Sequence, residues 1–418
     1  MISLRFYKAC PAVLGLLFIT LPHATYAEPL SLTQALQLAE RHAPSIAAFN
    51  ARIEAARHNA IPAGELPDPK LIIGIDNLPV NGTDRFSLTR DFMTMQKVSI
   101  MQEMPNQDKR HARIDSAQAA IERAEAEQAT ELLRIHRETA LAWIAVQTLE
   151  RKLAIFESLF HENRLLTDAI RAQIVSGKGD ISDAVVPRQE AAMLEERKDE
   201  LNRDLAQARS KLRQWIGKQG DEPLTGSVPD WPIKRELVIH RVHHHPELAV
   251  FIPAAKQAEA EVREAQAMKK PDWSWEIGYA KRDQLYSDMV MLQFTIDLPL
   301  FSSTRQTPKI AAKQDEITRL EAERETMLRE HTQMLESDLA EYERLDRSLQ
   351  RSNEIFLKLA QEKVNLALTS YRSGKGNLSS LIAARRELIE ARLKPVDLEG
   401  QRAMLAAKLH FSYGENQS

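Results

Sequence analysis

From residue 28 onward the sequence holds no cysteine. That single absence removes disulfides, thiolate metal sites and thiol nucleophiles together. Glycine is scarce as well, with 14 in 418 residues, and aromatics reach only 6% against 28% charged residues. Few breakers, few aromatics and many charges suggest long solvated helices rather than a compact globule. No apolar run after the N-terminus reaches the roughly 18 residues of a membrane-spanning helix. If this chain crosses a membrane, strands must do it. Charge imbalance is lacking too: 56 Lys and Arg face 59 Asp and Glu, a formal net charge of −3. That is no footprint for nucleic acid. Nucleophile elbow, phosphate loop, dinucleotide fingerprint and metal-hydrolase helix are all missing. The many carboxylates belong to solvated helix faces at i, i+4 spacing. No catalytic residue, cofactor or enzymatic activity is expected.

What is present begins with a leader. Residues 1–27 read as a secretory signal peptide: basic Arg5 and Lys8, an apolar run from Pro11 to Leu21, and a small-residue cleavage site at Thr25-Tyr26-Ala27. The one cysteine, Cys10, precedes the apolar run, whereas a lipid-anchored cysteine follows it, so no lipid anchor is expected. Losing Arg5 and Lys8 with the leader leaves 54 basic and 59 acidic residues, a charge of −5.

The remainder is written twice. Ser176-Gly177-Lys178-Gly179 recurs as Ser373-Gly374-Lys375-Gly376, an offset of 197. His42, Pro44, Ile46 and Phe49 recur as His244, Pro246, Leu248 and Phe251, an offset of 202. Ile73-Gly74-Ile75 answers Ile277-Gly278-Tyr279, and Pro105 answers Pro299. Landmarks in one order at nearly one offset indicate a duplication. The first repeat spans 28–216 and the second 236–418, joined by a linker at 217–235 of loop composition. Each reads as a helix, a strand pair, a very long helix, a glycine turn and a returning helix. In the first repeat the strand pair falls near 70–104, the long helix near 108–176 and the return helix near 181–216. In the second they fall near 272–299, 309–373 and 378–412.

Neither long-helix run contains Gly or Pro. The first carries a heptad seam through Leu132, Ile135, Thr139, Ala142, Val146, Leu149, Leu153, Phe156 and Phe160. Between Ala124 and Leu132 an extra four-residue step marks a stutter. About 70 residues at 1.5 Å each make a helix of roughly 100 Å, which needs partners along its length. Pro187 and Pro395 predict interrupted or kinked return helices.

Before each long helix the period changes to two. Trp273, Trp275, Ile277 and Tyr279 alternate with polar or small residues, as do Val290, Leu292, Phe294, Ile296 and Leu298. Leu71, Ile73 and Ile75 share a face, and so do Val98, Ile100, Gln102 and Met104. One greasy face with aromatics and one polar face fits an outer-membrane strand. A half-buried sheet in a soluble domain has the same pattern. Four strands cannot close a barrel, since the smallest need about eight, so membrane strands here would have to be pooled between protomers.

The leader, the duplication, the four strands and the paired glycine turns resemble the TolC-like outer membrane efflux proteins over nearly the whole mature chain. The resemblance implies a mainly α fold with a small β part. Long antiparallel helical hairpins would form a trimeric α-barrel, and four strands per protomer would form a twelve-stranded outer-membrane β-barrel. It also implies a homotrimer among outer-membrane lipid, with a long periplasmic extension. A periplasmic adaptor (membrane fusion) protein would dock at the tips, and an inner-membrane pump of the resistance-nodulation-division type would supply the energy. Pro67-Asp68-Pro69-Lys70-Leu71, Asn77-Leu78-Pro79, Met93-Thr94-Met95, Gln102-Glu103-Met104-Pro105 and Lys109-Arg110 look like the heavy-metal cation branch, serving cobalt, zinc, cadmium, copper or silver.

The tip turns, Gly177, Lys178, Gly179, Gly374, Lys375 and Gly376, are the candidate adaptor-docking residues, and the glycines allow positive φ where a helix reverses. Making the turn is an equally sufficient reason for them. The resemblance places a tip gate at Asp183 and Tyr371. Gly376 stands where a basic gate partner is expected, and Ser380 and Ala383 stand where some relatives line the entrance with acids. His243-His244-His245 invites a metal reading, but three consecutive helical side chains point in different directions, so no metal site is expected there. Met93, Met95, Met101 and Met104 could pass Cu(I) or Ag(I) as thioethers, or simply pack. Met93, Met95 and Met101 are expected on one strand face. The rival reading is a soluble periplasmic coiled-coil adaptor or scaffold, which accounts for the leader and heptads but not for the two strand pairs.

Overall fold

A computed structural model describes residues 29–177 and 179–414. The expected leader with Cys10, and Lys178 of the first tip, lie outside the described residues. Each repeat opens with short helices: α1 (Leu32–His42) and α2 (Pro44–Ala60) in the first, α5 (Arg235–Arg241), α6 (Pro246–Ala249) and α7 (Phe251–Ala267) in the second. Ser31 and Gln34 form a reciprocal capping box that starts α1. The remaining elements are β1 (Lys70–Asp76), β2 (Met95–Met104), α3 (Gln107–Val175), α4 (Val186–Ile216), β3 (Trp273–Lys281), β4 (Met289–Ile296), α8 (Gln306–Arg351), α9 (Leu357–Arg372) and α10 (Leu378–Tyr413). The fold is thus mainly helical with one small antiparallel sheet, as the periodicities predict.

With no breaker to stop it, α3 runs unbroken for 69 residues. Asn106 starts it, its side-chain oxygen accepting the Lys109 N–H at 3.0 Å. The seam residues Ile135, Thr139, Ala142, Val146 and Phe156 are buried. Along its length α3 packs in turn on α7, α2, α1, α4 and α10. Its middle is sealed by Trp143, fully buried, whose indole N–H donates to the Leu30 carbonyl at 3.2 Å. Leu30 in turn pairs with Leu224 in a parallel bridge, so the segment joining the repeats is packed onto the first one.

The second long helix differs from expectation. Instead of one α-helix across 309–373, a π-turn at Ser352–Phe356 separates α8 from α9. The duplication explains it. Buried Ile135, Thr139 and Trp143 in α3 match buried His331, Leu335 and Leu339 in α8, an offset of 196. At the tips the offset is 197, from Ser176 to Ser373. The second repeat therefore holds one more residue between core and tip, and an i→i+5 turn absorbs one extra residue without breaking the helix. Nor do the prolines break their helices. Pro187 sits in the first turn of α4, where the missing N–H costs nothing, and Pro395 lies inside a continuous α10.

The strands form one sheet in the order β1-β2-β3-β4, antiparallel throughout. β2 and β3 come from different repeats, so the duplication is stitched at the sheet centre. Just below, Asp272 accepts from the Asn106 backbone N–H at 2.8 Å and pairs with Lys109 at 2.9 Å. That tie fixes the start of α3 against the start of β3.

Between α4 and α10 an ion pair is shut in: Glu190 is 2% exposed, and Arg385 Nε donates to it at 3.2 Å. Removing one partner leaves a buried charge, which costs about 3–5 kcal/mol. Arg385→Met should destabilise the tip half of the hairpins by that order. Pairing it with Glu190→Met should recover most of the loss. Hydrogen exchange across α4 and α10 reads both effects.

Candidate functional site

The sheet has two unlike faces. On one, cross-strand rows run Leu71–Ile100–Ile277–Leu292 and Ile73–Val98–Tyr279–Val290, with Trp275 beside Phe294 and Trp273 beside Ile296. This face is open rather than packed: Ile73 is 73% exposed, Val290 74% and Phe294 62%. On the other face lie Lys97, Ser99, Glu276, Gln293 and Thr295, where Lys97 pairs with Glu276 at 2.8 Å and the Ser99 hydroxyl donates to Glu276 at 2.6 Å. A soluble half-buried sheet turns its apolar side inward. Here the apolar side is the bare one, and among the described residues no helix packs extensively against the sheet. No helix among the described residues is long and apolar enough to cross a membrane.

About 70 residues away stand the tips. Ser176 caps the end of α3 and Ser373 that of α9, each followed by a glycine in the left-handed region: Gly177 at φ 73° and Gly374 at φ 72°. The Gly374 N–H donates to the Tyr371 carbonyl and the Lys375 N–H to the Ser370 carbonyl, both at 3.0 Å, a Schellman closure. Of the four tip glycines only these two have positive φ. Gly376 is small for another reason: a Cβ there would stand 2.7 Å from the Ser370 Oγ. Gly179 is similarly close to Ile174, at 3.3 Å. Lys375 is exposed beside Gly374.

Asp183 lies in a 3-10 turn, Ile181–Val185, started by Asp180, whose carboxylate accepts the Ser182 N–H at 2.8 Å. Tyr371 is in the last turn of α9, half-buried against Leu166, Ile170, Leu378, Leu381 and Ile382. Its hydroxyl reaches Asp183 Oδ2 at 3.5 Å, a long contact that bridges the two hairpins of one chain. Burial, with the Asp183 charge adding to it, raises the Tyr371 hydroxyl above its usual range, so it stays protonated and able to donate.

The methionines divide differently from expectation. Met93 precedes β2 in a turn, its N–H bonded to Asp91 at 2.7 Å, and shares no strand face. Met95 and Met101 lie on the polar face, joined there by Met289 and Met291, while Met104 ends the apolar side. The histidine triplet also separates. His243 and His244 are exposed, whereas His245 is buried and caps α6. Burial, then the neighbouring His331, lowers His245 to about 4, and burial raises Tyr413 beside it to about 12. Glu247, His331 and Tyr413 surround His245, and single-residue patterns do not mark them. Repeat comparison does: Ala43, Ile135 and Ile216 occupy the matching places in the first repeat, all in one apolar cluster.

A family model described as "Outer membrane efflux protein" matches residues 35–218 and 242–415, one match per repeat. No curated protein sequence matches the chain. Among solved structures, the outer membrane protein VceC from Vibrio cholerae aligns with a TM-score of 0.76 at 17% identity, covering 93% of this chain and 97% of that one. CusC aligns with a TM-score of 0.77 at 15% identity, covering 92% of each. The Neisseria gonorrhoeae MtrE outer membrane channel aligns with a TM-score of 0.73 at 17% identity, covering 92% of this chain and 88% of that one. At these identities the structures speak for the fold, and the model matched across both repeats speaks for kinship. The chain belongs to the outer membrane efflux protein family, as a channel-tunnel component of an efflux system in the outer membrane of a Gram-negative bacterium rather than an enzyme.

Proposed function

We propose that three copies of this chain pool their sheets into a twelve-stranded barrel and their hairpins into one periplasmic tunnel. Substrates leave the cell through it passively, driven by an inner-membrane pump of the resistance-nodulation-division type. The observation that carries this is the sheet: apolar on its bare face, polar on the other, and unpaired at both β1 and β4. In lipid each unpaired backbone group costs several kcal/mol, so β1 and β4 require strands from other copies. The tips, with Gly177, Lys178, Gly179, Gly374, Lys375 and Gly376, are the docking points for a periplasmic adaptor. The Tyr371–Asp183 contact holds the closed tip.

The test is conductance in a planar bilayer of detergent-purified protein, with its cross-linked mass. A trimer with discrete pores is expected, and an Asp183→Ala/Tyr371→Phe double variant should spend more time open. A detergent-free monomer that conducts nothing overturns the duct; unchanged gating in the double variant overturns the tip lock alone. On the apolar face, Leu292→Lys should cost about 2–4 kcal/mol of insertion and lower the trimer yield in outer-membrane fractions. Gln293→Lys, one residue along on the polar face, should leave the yield intact.

A second reading concerns cargo. Met95, Met101, Met289 and Met291 put four thioethers on the polar face, a lining suited to Cu(I) or Ag(I). This fits the heavy-metal resemblance of the first strand pair. Changing all four to leucine should lower copper and silver resistance while leaving protein levels unchanged. Full resistance in that variant removes the reading.

A further inference from the structure

His245, Glu247 and His331 each offer one ligand atom, and those atoms lie within 4.8 Å of one another. They come from different elements. His245 and Glu247 sit at the start of α6, and His331 lies 84 residues on, in α8. His331 Nε2 is 3.1 Å from Glu247 Oε2, close to the edge of a tetrahedron of about 3.3 Å around an ion with ligand bonds of about 2.0–2.1 Å. The His245 and His331 rings approach to 3.8 Å between centroids. Both imidazoles are buried, while the Glu247 side chain is 42% exposed and opens one side to water.

We propose that His245, Glu247 and His331 form a site for a divalent borderline metal ion, Zn(II) in the first instance, one per protomer, with water completing the coordination. Two imidazoles and a carboxylate suit Zn(II), Co(II), Ni(II) or Cu(II) rather than the soft Cu(I) or Ag(I) of a thioether site. Tyr413 supports the arrangement. Its hydroxyl stands 3.5 Å from His331 Nδ1 and donates to the His331 carbonyl at 3.4 Å. With the ion on Nε2, the one ring proton of His331 sits on Nδ1, where the Tyr413 oxygen accepts it. That outer contact fixes ring orientation, as around metal-bound histidines generally. His245 has to swing inward to complete the tetrahedron, since the three ligand atoms are only within 4.8 Å of one another. Its long 3.3 Å cap bond from the Glu247 N–H is given up in the process. The neighbouring cation Arg137 is already paired with Glu138 at 3.1 Å.

The duplication argues that the cluster is not needed for folding. Ala43, Ile135 and Ile216 do the equivalent packing in the first repeat with no polar atom at all. Filled, the site ties the front of the second repeat to α8 and to the last turn of α10. It is separate from the sheet methionines and independent of what the channel carries.

The test uses the tag-free, full-length protein in detergent, stripped with a chelator and titrated with Zn(II) by calorimetry and thermal melting. The expected result is one Zn(II) per protomer and a melting temperature that rises with Zn(II) concentration. His331→Ile and His245→Ala restore the residues of the first repeat, so they should fold, and both should abolish uptake. Tyr413→Phe should weaken uptake about tenfold or more. His243→Ala/His244→Ala should leave it unchanged. Absence of saturable uptake in the wild type overturns the site. So does uptake that survives His331→Ile, or that disappears with the exposed pair His243 and His244.

Discussion

A sheet of four strands with two bare edges sets the terms for the rest of the molecule. Every N–H and C=O along the outer sides of β1 and β4 needs a partner, and lipid supplies none. The demand cannot be met within one chain, because four strands are too few to curve back on themselves. Strand order sharpens the point. The central pair, β2 and β3, already joins the two repeats edge to edge, so the free edges are one from each repeat. Joining β4 of one copy to β1 of the next repeats between chains the junction that exists within a chain. The helices inherit the consequence. α3 is about 100 Å long, and the Asp272 tie to Asn106 and Lys109 fixes its start beneath the sheet. A ring of pooled sheets, as proposed, would also arrange the hairpins around a common axis.

What could be read beforehand was whatever depends on local chemistry. Breaker-free runs announced the long helices, and period-two alternation announced all four strands and their outward residues. The tip turns were legible because a left-handed residue at a helix end calls for glycine, although of the four tip glycines only Gly177 and Gly374 use that freedom. The rest was set by features with no local signature. The π-turn at Ser352–Phe356 has no breaker in it. It exists because one repeat is a residue longer than the other between core and tip. Met93 alternates correctly with Met95, but its N–H is drawn to Asp91 and the strand starts later. Pro395 reads as a break, yet it is buried in a helix held by packing on both sides, and packing outweighs one lost hydrogen bond. His331 is invisible because its partners lie 84 and 86 residues earlier and 82 later.

A duplicated chain carries its own control. Where both repeats keep a glycine at the tip or a proline at a helix start, packing and turn geometry account for it: Gly177 and Gly374 do the same work twice, and so do Pro44 and Pro246. Where the repeats part, folding alone is a weaker explanation, since the other copy folds without the feature. The centre of each repeat shows this plainly. Ala43, Ile135 and Ile216 fill one site with methyl and methylene groups. His245, His331 and Tyr413 fill its counterpart with three polar rings and draw in Glu247. Burying two imidazoles and a phenol forfeits hydration that an apolar core never had, and each polar atom must then find a partner or cost free energy. Beside the 3.1 Å contact of His331 with Glu247, the Tyr413 contacts at 3.4 and 3.5 Å and the 3.3 Å cap bond of His245 are long. A cation shared by His245, Glu247 and His331 would give each of these groups a ligand bond in place of those loose contacts.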